Sequence, residues 1–183
     1  MSSPWSPPTI RTDRLLIRPM AVSDLSAVHD YASSYPADRY GSWLGGTDPA
    51  SVARYIADTV ARYGRPPRCD LGITLNNQLV GGLAFRQVWI TPPAMEVGWV
   101  IHPKVAGQGI AQESLRTLLQ HLEIAFPRLS RFEVRVHADD SGARRTLERL
   151  GFQAEGVLRG GVGANGEPAD GIMYSLLRGE ICE

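Results

Sequence analysis

MEVGWVIHPKVAGQGIAQESLRTLLQHLEIAF, residues 95–126, is the stretch on which the fold turns. It divides into a strand, a glycine-containing turn and a long helix. Met95-Glu-Val-Gly-Trp-Val-Ile101 is rich in β-branched and aromatic residues, which suit a buried strand. His102-Pro103 ends it, because proline has no N–H to give to a sheet ladder. Beyond the turn, Ala111, Leu115, Leu118, Leu119, Leu122, Ala125 and Phe126 recur at three- and four-residue steps. Glu113, Arg116, Gln120 and Glu123 fill the opposite face. That periodicity predicts an amphipathic helix.

Between strand and helix lies Gly107-Gln108-Gly109-Ile110-Ala111-Gln112. Glycines let the backbone turn sharply and let a ligand approach the main chain. The first N–H groups of the following helix have no intrahelical partner and sit at the positive end of its dipole. Such a turn suits a phosphate or pyrophosphate, although Gly-x-Gly before a helix is by itself more often a tight turn. A Walker loop is excluded, since Gly109 is followed by Ile-Ala-Gln rather than Lys-Ser/Thr. A dinucleotide fingerprint is excluded as well, because Gln112 stands where its third glycine or alanine belongs.

Outward from this centre the chain reads as one domain over residues 1–183, long enough for a hydrophobic core. Lys and Arg number 19, as do Asp and Glu, so no bulk field draws it to nucleic acid or membrane. MSSPWSPP lacks the charge and apolar core of a signal peptide, and residues 1–8 read as disordered or loosely packed. No apolar run approaches membrane-spanning length. Cys69 and Cys182 form no motif, which points to a reduced, cytoplasmic setting. The four histidines show no ligand spacing, so no metal is expected.

Leu15 and Ile17 suggest a first strand, and Ser23-Asp24 an N-cap for a helix carrying Leu25, Val28 and Ala32 inward. Tyr35 to Gly46 is irregular. Asp48-Pro49 opens a second helix with Val52, Ile56 and Val60 inward, and Arg65-Pro-Pro-Arg68 closes that unit. Strands near Cys69–Leu75 and Leu79–Val88 join at Asn76-Asn77-Gln78, a good hairpin turn. Gly81-Gly82 implies a bulge or a close backbone neighbour. Trp89 to Ala94 reads as a loop. After the long helix, Arg131–His137 alternates with Phe132, Val134 and Val136 on one face. A short helix follows from about Ser141 to Leu150, with Ala143, Leu147 and Leu150 inward and Gly151 as its C-cap. Strands near Gln153–Leu158 and Ile172–Leu177 flank a glycine-rich loop, Gly160–Gly171. The order β-αα-βββ-α-β-α-ββ is α+β: a mixed sheet of about seven strands with helices on both faces.

Five pieces, in this order, resemble the GNAT superfamily of N-acetyltransferases, and within it the RimJ/RimL-like branch. They are Thr9-Ile-Arg-Thr-Asp-Arg-Leu-Leu-Ile-Arg-Pro19, Glu96-Val-Gly-Trp-Val-Ile-His-Pro103 with the loop after it, Leu147-Glu-Arg-Leu-Gly-Phe152, Glu155-Gly-Val-Leu-Arg159 and Asp170-Gly-Ile-Met-Tyr-Ser-Leu-Leu177. The resemblance implies a V-shaped gap between the fourth and fifth strands, where acetyl-CoA and an acceptor amine would meet. It implies pantetheine contacts to the backbone of Trp99, Val100 and Ile101, and a pyrophosphate on Gly107, Gln108, Gly109, Ile110, Ala111 and Gln112. Asp140 would hold a pantetheine amide or an ordered water, and Arg145 could reach the adenosine phosphate. Ala106 departs from the Arg, Gln or Trp often found there. Asp140, Ala143 and Leu147 replace the usual Asn, Ser and Tyr, so the expected general acid is missing. Tyr174, Tyr40 and Ser114 are the substitutes.

An attacking amine must be neutral, yet a peptide α-amine titrates near about 8 and lysine near about 10.4. The resemblance makes Glu96 the leading base, with a structural role bonding a backbone group or arginine as the equal alternative. Glu133 and His137 are weaker candidates on the next strand, sharing a face with Arg135. Tyr35, Tyr40, Trp43 and Trp89 would line the acceptor pocket, although single aromatics are more often core. The expectation is an acetyl-CoA-dependent N-acyltransferase acting by direct attack on a protein N-terminus or a small-molecule amine, as a monomer or homodimer. A larger donor such as succinyl-CoA, or a non-catalytic acyl-CoA-binding domain, are the alternatives.

Overall fold

The computed structural model describes residues 6–35, 47–64, 68–164 and 167–182. Tyr40, Trp43 and most of the irregular Tyr35–Gly46 stretch lie outside these residues, as do residues 1–5 and 65–67. The strands are β1 Ile10–Arg11, β2 Leu15–Pro19, β3 Arg68–Leu75, β4 Gln78–Ile90, β5 Pro93–Ile101, β6 Arg131–His137, β7 Gln153–Ala164 and β8 Glu167–Leu177. The helices are α1 Leu25–Ser33, α2 Pro49–Arg62, α3 Ile110–Ala125 and α4 Ser141–Arg149. All eight strands form one sheet in the order β1-β2-β3-β4-β5-β6-β8-β7. Neighbours are antiparallel except β5 and β6, which run parallel across the α3 crossover. The expected α+β sheet is therefore present, with the two-residue β1 as an added eighth strand.

Strand alternation divides the side chains between two cores. On one face Leu71, Leu83, Val97, Phe132 and Leu176 pack under Leu115, Leu118, Leu119 and Leu122 of α3 and Leu147 of α4. On the other, Met20 and Val100 meet Val28, Tyr31 and Ala32 of α1 and Val52, Tyr55 and Ile56 of α2. Asp48 caps α2 as expected, accepting from the N–H groups of Ala50 and Ser51 with Pro49 at the first turn. Asn76 and Asn77, at φ 51° and 63°, make the β3–β4 turn. Beside Gly81 the register slips between Ile73 and Thr74. A Cβ at Gly81 would come within 2.3 Å of the Val100 carbonyl oxygen, so the glycine allows β4 and β5 to lie close.

Several local expectations are corrected. Trp89 to Ala94 is a continuing hairpin rather than a loop, with Trp89 paired to Ala94 and Ile90 to Pro93. Gly160–Gly171 is likewise mostly hairpin: Val162 pairs with Ala169 and Gly163 with Pro168 beyond a register shift after Leu158. Glycine there serves the irregular turn of a paired ribbon, with Gly160 at φ 60°. In α2, Tyr55 and Thr59 point inward while Val60 is 37% exposed, because the buried stripe runs 52, 55, 56, 59. Ala125 lies exposed at the end of α3. Asp24 does not cap α1 with its side chain. Its carboxylate instead accepts from the Ala21 N–H and pairs with both terminal nitrogens of Arg18.

Candidate active site

Pairing between β5 and β6 is confined to Ala94↔Arg131, Met95↔Phe132 and Glu96↔Glu133. Beyond Glu96 the strands part, and the backbone of Val97–Ile101 faces β6 without a ladder. A cleft of about 880 Å³ opens there, lined among others by Glu96, Trp99, Ile101, His137 and Asp140. Its far wall is the turn into α3, where Gly107, Gly109, Ile110, Ala111 and Gln112 line it too.

The turn has a geometry suited to an anion. Gly107 and Gly109 hold φ of 77° and 75°, the left-handed region that glycine enters without penalty. Gly109 is the N-cap of α3, and its carbonyl accepts the first helical bond from Glu113 N–H. The N–H groups of the first turn have no carbonyl of their own helix to reach. A side chain at Gly107 would meet nothing within 4 Å, so the space over the loop is open. Arg14, the residue immediately before β2, braces it from behind. Its Nη2 donates to the Gln108 carbonyl at 2.8 Å and its Nε to Glu113 at 2.6 Å.

A second helix end closes the same wall. Asp140 accepts from the Ala143 N–H at 2.9 Å and so caps α4. Arg145 and Arg149 of α4 line the cleft. The charge that Asp140 brings in place of an asparagine is thus directed at a helix N-terminus, where it is favourable. Below the loop, His102 ties β5 to α1. Its Nδ1 accepts from Lys104 N–H, so Nε2 carries the proton and donates to Asp30 at 3.0 Å. That bond, reinforced by Lys104, holds the Asp30 carboxyl below the usual carboxylate range.

At the apex of the V, Glu96 lies between two guanidiniums. It pairs with Nε and Nη2 of Arg86, its cross-strand neighbour, and stands 3.6 Å from Nε of Arg135. Glu133 does not reach the cleft. It is buried, accepting from Arg131 Nε at 2.9 Å and Trp89 Nε1 at 3.1 Å. Arg131 also forks onto Glu155, which lowers the Glu155 carboxyl; the Ser175 hydroxyl adds to the effect. Trp89 is 58% exposed and packs outside the cleft, while Tyr35 lines it and donates its hydroxyl to the Ile101 carbonyl.

Of the residues expected at the site, Gln108 offers its carbonyl to Arg14, and Val100 turns its side chain into the α1–α2 core; neither lines the cleft. Neither described substitute acid does so either. Ser114 is buried and donates to the Ala111 carbonyl, and the buried Tyr174 hydroxyl donates to Glu148 at 3.0 Å. Arg68, Arg86 and Arg149 line the cleft and Arg14 braces its loop, and periodicity reveals none of them. Arg86 could be found only by registering the β4–β5 hairpin, and Arg14 only from the tertiary fold. Among the described residues no cluster of three or more His, Cys, Asp or Glu is placed to hold a metal.

A parallel strand pair that splays over a glycine turn and two helix N-termini is an acyl-CoA transferase architecture, and residues 14–153 match the acetyltransferase (GNAT) domain. The chain belongs to that family. It is 28% identical over 173 residues to the uncharacterized N-acetyltransferase YoaA of Bacillus subtilis, covering 93% of this chain and 97% of YoaA. Its fold is shared with Mycobacterium smegmatis RimJ, solved in complex with CoA-disulfide: TM-score 0.81 at 19% identity, covering 99% and 91% of the two chains. RimL, the ribosomal L7/L12 alpha-N-protein acetyltransferase solved with coenzyme A, gives a TM-score of 0.79 at 21% identity, covering 93% and 98%.

Proposed function

We propose that the cleft brings acetyl-CoA and a primary amine together and that the acetyl group passes directly to the amine nitrogen, with no covalent enzyme intermediate. The observation that carries this reading is the parting of β5 and β6 above Glu96, with an anion cradle at one mouth of the gap and ionisable groups at its apex. Acetyl-CoA supplies an activated thioester: a C–N bond forms, the C–S bond breaks, and the amine proton must leave. The N–H groups at Gly109 to Gln112 suit the coenzyme's pyrophosphate, and Arg145 and Arg149 suit its remaining phosphate. The unladdered edge of Trp99 to Ile101 suits the amides of its pantetheine arm. The open space over Gly107 leaves room for that ligand.

Glu96 is the carboxylate at the apex. Because Arg86 and Arg135 engage its oxygens, it takes the amine proton through water, and His137 on the facing strand is the other cleft-lining group able to do so. The acceptor is the amine of a protein N-terminus or of a small molecule. Two free thiols, Cys69 and Cys182, suit a reducing compartment, and we place the reaction in the cytoplasm. No described helix is long and apolar enough to cross a membrane.

The test follows free thiol release from acetyl-CoA and succinyl-CoA with a panel of peptide and small-molecule amines. Release should require an amine and fall about 10²–10⁴-fold in Glu96→Gln, with the CoA Kd little changed. A fall in His137→Gln instead would move the proton to that residue. No release by protein that binds acetyl-CoA would make this a binding domain.

A further inference from the structure

Among the described residues, the half of the cleft around Glu96 is short of negative charge. Side chains alternate across the sheet, so Phe85, Val134 and Val136 enter the core beneath α3 and α4. Arg86 and Arg135, their neighbours, therefore stand on the opposite face from the glycine cradle. Arg68, the cross-strand partner of Arg86, lines the cleft as well. Against these three guanidiniums the described residues of the same wall offer one carboxylate, Glu96. The Arg68 partner Asp70 lies at 3.5 Å, is buried, and also faces Arg62 at 3.9 Å. Among the described residues neither Arg86 nor Arg135 has a second acidic partner. The imbalance is local, since the whole chain carries 19 basic and 19 acidic side chains.

Resting on the acyltransferase reading above, we infer that the acceptor is a primary amine whose own chain carries a carboxylate a few bonds from the nitrogen, held by the guanidiniums of Arg86 and Arg135. Glu96 occupies Nε and Nη2 of Arg86 and the Nε side of Arg135, which leaves terminal N–H groups of both for a second anion. A guanidinium presents its donors in a planar fork that fits a carboxylate two oxygens at a time. The same positive surroundings disfavour an ammonium, so an acceptor anchored here is biased toward the neutral amine that attacks. An acceptor with added positive charge meets repulsion at both ends.

The carboxylate can belong to an acidic second residue of a peptide or to a small amino acid, and matched pairs separate the two. The full chain and acetyl-CoA are assayed with the C-terminally amidated peptides Ser-Asp-Ala-Ala and Ser-Asn-Ala-Ala, and with 4-aminobutyrate and 4-aminobutanamide. In at least one pair the acidic member should have a kcat/KM about tenfold above its neutral twin, and that pair identifies the source. Arg135→Gln and Arg86→Gln should bring the ratio toward one. The ratio is read within each variant, so a general loss of activity cancels, and Arg135→Lys should restore part of it. Equal use of acidic and neutral amines overturns the inference and leaves acetyl transfer standing. A ratio that survives both glutamine variants overturns the assignment to these arginines. Acetyl-CoA binding without transfer to any amine removes the acceptor site, and the inference falls together with the acyltransferase reading.

Discussion

Arg14→Ala separates the stability of the coenzyme loop from its preorganisation. The guanidinium makes two bonds, 2.6 Å to Glu113 and 2.8 Å to the Gln108 carbonyl, with its side chain 43% exposed. Half-exposed charge pairs contribute about 0.2–1 kcal/mol. For a chain of this length that is a fall in Tm of no more than about 4 °C. The effect on coenzyme binding should be larger than that modest figure suggests. Gln108 sits between two glycines, Gly107 and Gly109, whose backbones have the widest freedom, and Arg14 is the side chain that bonds the carbonyl between them. Freed of it, the loop must be ordered when the phosphates arrive. Fixing one residue's backbone costs about 1–2 kcal/mol, so the Kd for CoA should weaken by roughly five- to thirtyfold. Arg14→Lys, which keeps the charge but loses the fork, should fall between. Differential scanning fluorimetry gives Tm, and isothermal titration with CoA gives Kd. A variant with the expected Tm loss and an unchanged Kd would refute the reasoning and make Arg14 an ordinary surface ion pair.

Other expectations follow from single contacts. Gly81→Ala places a methyl 2.3 Å from the Val100 carbonyl oxygen and should destabilise the protein by about 1–3 kcal/mol in urea unfolding, with CoA binding weakened as β5 shifts. Asp48→Ala removes the α2 cap and should cost about 1 kcal/mol, whereas Asp48→Asn should cost little. Burial pushes the Cys69 thiol up to about 12, so a thiol reagent at pH 8 should label the exposed Cys182 and spare Cys69 until the chain unfolds. Burial acts to raise the Asp24 carboxyl, but its bonds from Arg18 and the Ala21 N–H prevail and hold it below its ordinary 3.8. Its contribution to stability is therefore present above that value and lost as pH falls through the folded-state pKa; Asp24→Asn should flatten that part of an acid unfolding curve.

The stretch from Met95 to Phe126 was readable because each part obeys a local rule: a β-branched strand, a proline stop, glycines with positive φ and a helix with a clean apolar stripe. The same holds for Asp48-Pro49 and Asn76-Asn77. Locality also explains the misreadings. Glycines in Gly160–Gly171 look like a loop because their pairing partners are seen only once β7 and β8 are in register. Trp89 is an aromatic beside a supposed loop, and its bond to Glu133, 44 positions away, is invisible to any window. Glu96 and Glu133 look alike on alternating strands, yet one lines the cleft while the other is buried beneath Arg131 and Trp89. The charge around Glu96, with Arg68, Arg86 and Arg135, needed four strands to be assembled before it could be counted.

The seam between β5 and β6 has a mechanical consequence. Three residue pairs join the two halves of the sheet, β1 to β5 and β6 to β8. On one side of that seam Leu83, Val97, Phe132 and Leu176 weld the halves into a common apolar core. On the other side the fastenings are polar, Arg135 to Glu96 and Trp89 to Glu133. A joint glued along one face and latched along the other bends in one direction only. We expect the halves to breathe toward the latched side, and a ligand lying across the gap to act as the missing stitches, coupling two lobes that would otherwise loosen independently.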